Sequence, residues 1–165
     1  MLRKTPKSRN GFTIIEIMIV LAIAGLIMLI VFLAVPGLQR ASRNTQRKND
    51  VSAIAASVAN YIDNNGGTIP GGTGGAAGSL TICLTNACAG NTETATLGYY
   101  TAGNVTLVTG SANPATPTTT SVVIDTGYNC NASGTGLGNV SSRSAAILYA
   151  IETSSLNIAQ QCIEQ

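Results

Sequence analysis

Residues 8–20 read Ser8-Arg9-Asn10-Gly11-Phe12-Thr13-Ile14-Ile15-Glu16-Ile17-Met18-Ile19-Val20, and this stretch decides the architecture. A basic tail closes on a glycine, a phenylalanine opens an apolar run, and one carboxylate, Glu16, sits a helical turn inside it. From residue 12 to residue 35 the polar side chains are Thr13 and Glu16. Residues 17–35 alone would rise about 28 Å as a helix, which matches a hydrocarbon core of roughly 30 Å. A carboxylate in such a span costs about 2.5–3.5 kcal/mol on insertion scales, so Glu16 calls for a partner and a role.

An ordinary secretory signal has an apolar core of about 7–15 residues followed by a small-residue cleavage site. Here the run is too long, it ends in Ala34-Val35-Pro36-Gly37, and Glu16 intrudes at its front. A cut on the basic side of the run would instead leave the span attached to the mature chain.

Gly11-Phe12-Thr13-Ile14-Ile15-Glu16, after a Lys/Arg-rich leader and before the apolar run, resembles the processing site of a type IV prepilin. The resemblance covers about the first quarter of the chain and requires glycine, aromatic, carboxylate and apolar run in fixed register. It implies cleavage between Gly11 and Phe12 by a prepilin peptidase, with N-methylation of Phe12 by the same enzyme. It further implies that an assembly platform and its ATPase extract the subunit from the membrane into a helical homo-polymer. Glu16 would there neutralise the Phe12 ammonium of an adjacent copy and set the axial register, since either charge unpaired in an apolar bundle is costly. Phe12 and Glu16 are also four apart on one helix face, which leaves an internal pair open.

The family's helix loosens between a glycine and a proline when subunits pack. Gly25 matches that glycine, whereas Pro36 comes about a turn later than the family's proline. Pro36-Gly37 is equally readable as a plain kink where the helix leaves the bilayer, because proline removes a ladder hydrogen bond.

Beyond the span Val51, Ile54, Ala55, Val58 and Ile62 form one apolar stripe, and Gln46, Lys48, Asn49, Ser52, Ser57 and Asn60 lie opposite. The stripe reads as core buried against the chain's own domain. Asn64-Asn65-Gly66-Gly67 is a stop signal. The expected helix therefore spans residues 12–65, a rod of about 80 Å.

The organisation expected is a removed leader (1–11), a transmembrane and filament-core half-helix (12–38), an amphipathic half-helix (39–65) and a globular β domain (66–165). The fold class is α+β, with the long helix packed on a small antiparallel sheet. Residues 66–78 are about half glycine and read as a flexible connector; a phosphate loop would need a strand before and a helix after. Residues 80–84, 94–100, 104–109, 121–125, 143–152 and 156–163 read as short β-type runs separated by Gly, Asn and Pro clusters. Residues 114–120 and the sequons at Asn104, Asn131 and Asn139 mark exposed loops.

Of nine basic side chains, Arg3, Lys4, Lys7 and Arg9 precede Gly11, so the remainder carries five against seven acids. Only Arg143 lies beyond Lys48, which leaves no phosphate-binding patch and no nucleic-acid partner. There is no His, and the distal acids Asp63, Glu93, Asp125, Glu152 and Glu164 are scattered singly, so no acid–base or nucleophilic constellation is legible. No enzyme activity and no cofactor is expected. Arg40, Arg43, Arg47 and Lys48 after the span read either as a solvated face with snorkelling stems or as contacts to lipid phosphates or neighbouring subunits.

Cys83, Cys88, Cys130 and Cys162 allow three pairings. Cys83–Cys88 would close a tight loop, and Cys130–Cys162 would resemble the C-terminal disulfide loop of many type IV pilins. Their spacing suits a zinc site poorly, so no metal is expected. An even cysteine count with uncharged loops favours an oxidising exterior for the distal domain, with the leader in the cytoplasm. Flanking Lys and Arg are nearly balanced across the span and decide little.

The resemblance thus implies a structural subunit of a type IV pilus, used in adhesion, motility or surface contact. It would be held in the inner membrane as a precursor and carried outside in the filament. A type II secretion pseudopilin or minor pilin is the alternative within the same machinery. A single-span surface-binding protein that does not polymerise is the alternative outside it.

Overall fold

The computed structural model describes residues 11–85, 88–154 and 157–165; the basic leader and Leu156, where the last β-type run was expected to begin, lie outside them. The chain divides into two compact units, Met1–Gln39 and Arg40–Gln165. In the first, residues 11–39 are exposed, save that helix α1 (Ile14–Asn64) begins at Ile14. By length and composition α1 is apolar enough to cross a membrane. Pro36 lies inside its bounds.

In the second unit the Arg40–Asn64 part of α1 ends as the sequence requires. Gly66 and Gly67 take φ of 65° and 84°, and the Gly67 N–H reaches back to the Ile62 carbonyl at 2.8 Å. That six-to-one bond satisfies a carbonyl the helix leaves orphaned, and only a residue without Cβ adopts it cheaply.

Among the described residues seven strands follow: β1 (Gly72–Ala76), β2 (Ser79–Cys83), β3 (Thr92–Thr96), β4 (Val105–Thr109), β5 (Val122–Cys130), β6 (Leu137–Glu152) and β7 (Ile158–Glu164). They form two sheets, β1-β2-β3 and β4-β5-β6-β7. All pairs are antiparallel except β4–β5, which is parallel with Val108 beside Asp125. The expected α+β class, a long helix packed on antiparallel sheet, is found, with the strands divided between two sheets rather than one. Parallel neighbours need a crossover of about a dozen residues, and residues 110–121 supply it.

The glycine-rich stretch is corrected more sharply. It is not a flexible connector: Gly72–Ala76 pairs with Ser79–Cys83 in a tight hairpin. Glycine is there because the backbones are too close for side chains. A Cβ on Gly71 would collide with the Leu84 carbonyl oxygen, one on Gly75 with that of Ser79, and Gly75 sits at φ 129°.

The core joins α1 to both sheets. Val51, Ile54, Ala55, Val58 and Tyr61 pack with Leu80, Ile82, Ala95 and Leu97 on one side and with Val122, Ile124, Ala145, Ile147 and Tyr149 on the other. The predicted stripe is thus core, with Ile62 half-buried at its margin. Ser57, expected on the polar side, is also buried and returns its hydroxyl to the Ala53 carbonyl at 3.0 Å.

Candidate processing and assembly site at the head of the helix

Helix α1 starts where Thr13 can cap it. The Thr13 N–H and hydroxyl both donate to Glu16 Oε2, each at 2.8 Å, while the Glu16 N–H points to Thr13 Oγ1 at 3.4 Å. Thr-x-x-Glu is a capping box, in which two orphan donors of the helix start are satisfied reciprocally. A carboxylate in the first turn also complements the positive end of the helix dipole.

Glu16 is thereby oriented without a counter-charge: among the described residues the ion pairs are those of Arg43 and Arg47 with Glu152. Just before the cap, Gly11 is exposed with nothing near its Cβ position, and the Phe12 side chain is 85% exposed. Phe12, Glu16, Ile17, Ile19 and Val20 line a shallow apolar hollow of about 520 Å³. An open glycine–aromatic bond and a carboxylate on an apolar wall are thus brought within one turn. Gly25 and Gly37 stand in open space on the same helix.

The disulfides are Cys83–Cys88 and Cys130–Cys162. The first lies against β1, where a Cβ on Gly74 would come within 3.0 Å of Cys88 Sγ. The second joins the end of β5 to β7, three positions beyond Gly127, which bulges β5 at φ 105° where the β5–β6 register shifts.

Two of the four post-span cations neither snorkel nor wait for a partner chain. Arg47 is 1% exposed and gives every arm of its guanidinium to the fold. Nη2 donates to Glu152 Oε1 at 2.7 Å and to the Tyr99 hydroxyl at 2.6 Å, Nε to the Thr119 carbonyl at 2.9 Å, and Nη1 to Asn44 Oδ1 at 2.8 Å. Arg43 completes a forked pair with Glu152 at 3.2 and 2.6 Å. Hydrogen bonds from Arg43 and then Arg47 hold the Glu152 carboxyl down at about 2.

Asp50, one turn further, accepts the N–H groups of Gly98, Tyr99 and Tyr100 at 2.8, 2.7 and 2.8 Å. Sequence reading missed both clamps. The trace it could have followed is Arg43, Asn44, Arg47 and Asp50 recurring at helical spacing beside the apolar stripe.

No curated protein and no solved structure matches the chain. Residues 6–32 do match the family model of the prokaryotic N-terminal methylation motif. The capped helix head and its flanking glycine and phenylalanine fall inside that match. The chain therefore carries the leader signature of type IV prepilins, which supports a membrane-anchored pilin-like or pseudopilin precursor.

Proposed function

We propose that this protein is the structural subunit of a type IV pilus. A prepilin peptidase cuts between Gly11 and Phe12 and methylates the new Phe12 amine; the mature chain then polymerises through the apolar part of α1. One observation carries the reading: the methylation motif stands in register with a helix whose apolar residues from Ile14 to Val35, with Phe12 just before them, are exposed among the described residues. Lipid covers that surface before assembly, and further copies of the same helix cover it in a filament. Glu16, oriented by Thr13, meets the Phe12 ammonium of an adjacent copy. Exchange of its Thr13 contacts for a charge partner is favourable in an apolar bundle, where an unpaired ammonium is costly.

Two disulfides in the distal unit favour an oxidising exterior, with the leader on the cytoplasmic side. Mass spectrometry of the protein from membranes of its host tests the reading. A mature chain beginning at Phe12 and one methyl group heavier is expected; a chain beginning at Met1 or after Ala34 overturns it. Sheared surface fibres then separate a pilin, which dominates them, from a pseudopilin, which is nearly absent.

A further inference from the structure

The parallel pairing of β4 with β5 makes residues 110–121 a crossover, and hydrogen bonds hold it at both ends. At its start Gly110, at φ 64°, donates to the Thr126 carbonyl at 2.8 Å. At its far end the Thr119 carbonyl accepts Arg47 Nε, Pro117 is buried, and the Thr118 N–H bonds the Ser121 hydroxyl at 2.9 Å. Between these anchors residues 112–117 roof an open cavity of about 270 Å³ walled by Leu137, Leu148 and Gln160.

Under the near end of the crossover lies Asp125, wholly buried. Its Oδ1 accepts a long bond from the Ser111 N–H at 3.4 Å, and its Oδ2 has no hydrogen-bond partner among the described residues. A buried carboxylate oxygen without a donor is costly, and far more so charged than neutral.

We propose that residues 110–121 form a pH-gated strap, closed over Asp125 while that side chain is neutral and lifted when it ionises. Among the described residues, the register partners of Asp125 include no cation to oppose this. The strap itself contains no titratable side chain. On β4 the register partner is Val108, and on β6 it is Ala146, flanked by Ser144 and Leu148 on that face. On β7 the residue level with Ala146 is Glu164, a further carboxylate, which accepts the Cys130 N–H at 3.2 Å. Arg143 is exposed to solvent, in the stretch of β6 where the register with β5 shifts.

Desolvation accordingly raises the Asp125 carboxyl above its ordinary value of 3.8. The closed state binds the proton more tightly than the open one. Closure is complete below the ordinary value and is lost as pH rises through the raised one. Opening would uncover Leu148 and the cavity beside it.

Hydrogen exchange read by mass spectrometry on the full chain in detergent micelles tests the strap, with rates corrected for the intrinsic pH dependence. Protection of residues 111–117 is expected to fall as pH rises above the ordinary carboxyl value, about tenfold for each unit by which closed and open values differ. Asp125→Asn keeps the strap protected throughout. Equal protection across the range, or a pH dependence that survives in Asp125→Asn, overturns the proposal. Should that variant not fold, carboxyl-carbon NMR on the wild-type chain decides. An Asp125 titration at the ordinary value overturns the strap, and a raised value moving with signals from residues 111–117 supports it.

Discussion

Arg47 and Glu152 stand 105 positions apart and meet at 2.7 Å, joining α1 to the last turn of β6 before the chain reverses. Arg47 is buried and Glu152 nearly so, while Arg43, on the other carboxylate oxygen, keeps 41% of its side chain exposed. The asymmetry decides what each partner is worth. Removing one member of a buried pair strands the other charge, whereas an exposed member contributes little.

Glu152→Ala is accordingly expected to destabilise the distal unit by about 3 kcal/mol. Arg43→Ala should cost clearly less, because its side chain stays largely in solvent. Denaturant unfolding of both variants checks the ranking, and equal losses would contradict the burial argument.

The same clamp gives an acid limb to stability. The Glu152 carboxyl ordinarily sits at 4.5 and is held at about 2 in the fold, chiefly by the hydrogen bond from Arg43 and then by Arg47. A depressed value contributes stability that is present above the ordinary value and is lost as pH falls through it toward the folded one. Wild type and Glu152→Ala should therefore converge in unfolding midpoint as pH falls from about 5 to about 2. Asp125, whose shift has the opposite sign, is common to both proteins and cancels from the difference.

Asp50→Ala removes the acceptor of three backbone N–H groups at residues 98–100, which connect β3 to the next turn. Bonds to a charged group are worth about 1.5–3 kcal/mol each, so a loss of at least about 3 kcal/mol is expected. Exchange protection at Gly98, Tyr99 and Tyr100 should fall first.

The two disulfides should differ in weight. Cys130–Cys162 spans 32 positions and Cys83–Cys88 spans 5. Loop-closure entropy gives about 3.7 and about 2 kcal/mol. Thermal unfolding of the paired Cys→Ala variants should show the larger loss for the Cys130–Cys162 pair.

Glu16→Ala is expected to leave leader removal intact and to lower filament yield sharply, because in the proposed reading the peptidase acts on the glycine–phenylalanine bond while assembly uses the charge. Immunoblots of processed chain set against sheared fibre yield separate the two steps. Normal fibres from the variant would rule out the inter-subunit role of Glu16.

What the linear sequence determined by itself is what rests on short-range rules. Period-3.6 apolarity placed Val51, Ile54, Ala55 and Val58 in the core, Gly66 and Gly67 ended the helix, and the apolar run marked a helix long and apolar enough to cross a membrane. The Gly11–Glu16 register pointed to the leader signature. Tertiary structure decided the rest, because it depends on groups far apart in the chain. Glycines at 71–75 read as slack locally, yet they are a strand pressed against the carbonyls of Ser79 and Leu84, a proximity visible only once β2 is in place. Arg43 and Arg47 read as a solvated or waiting face, yet Glu152 neutralises them from over a hundred residues away. A lone Asp125 carried no signal until the crossover closed over it, since the cost of burying a charge belongs to its surroundings and not to the residue.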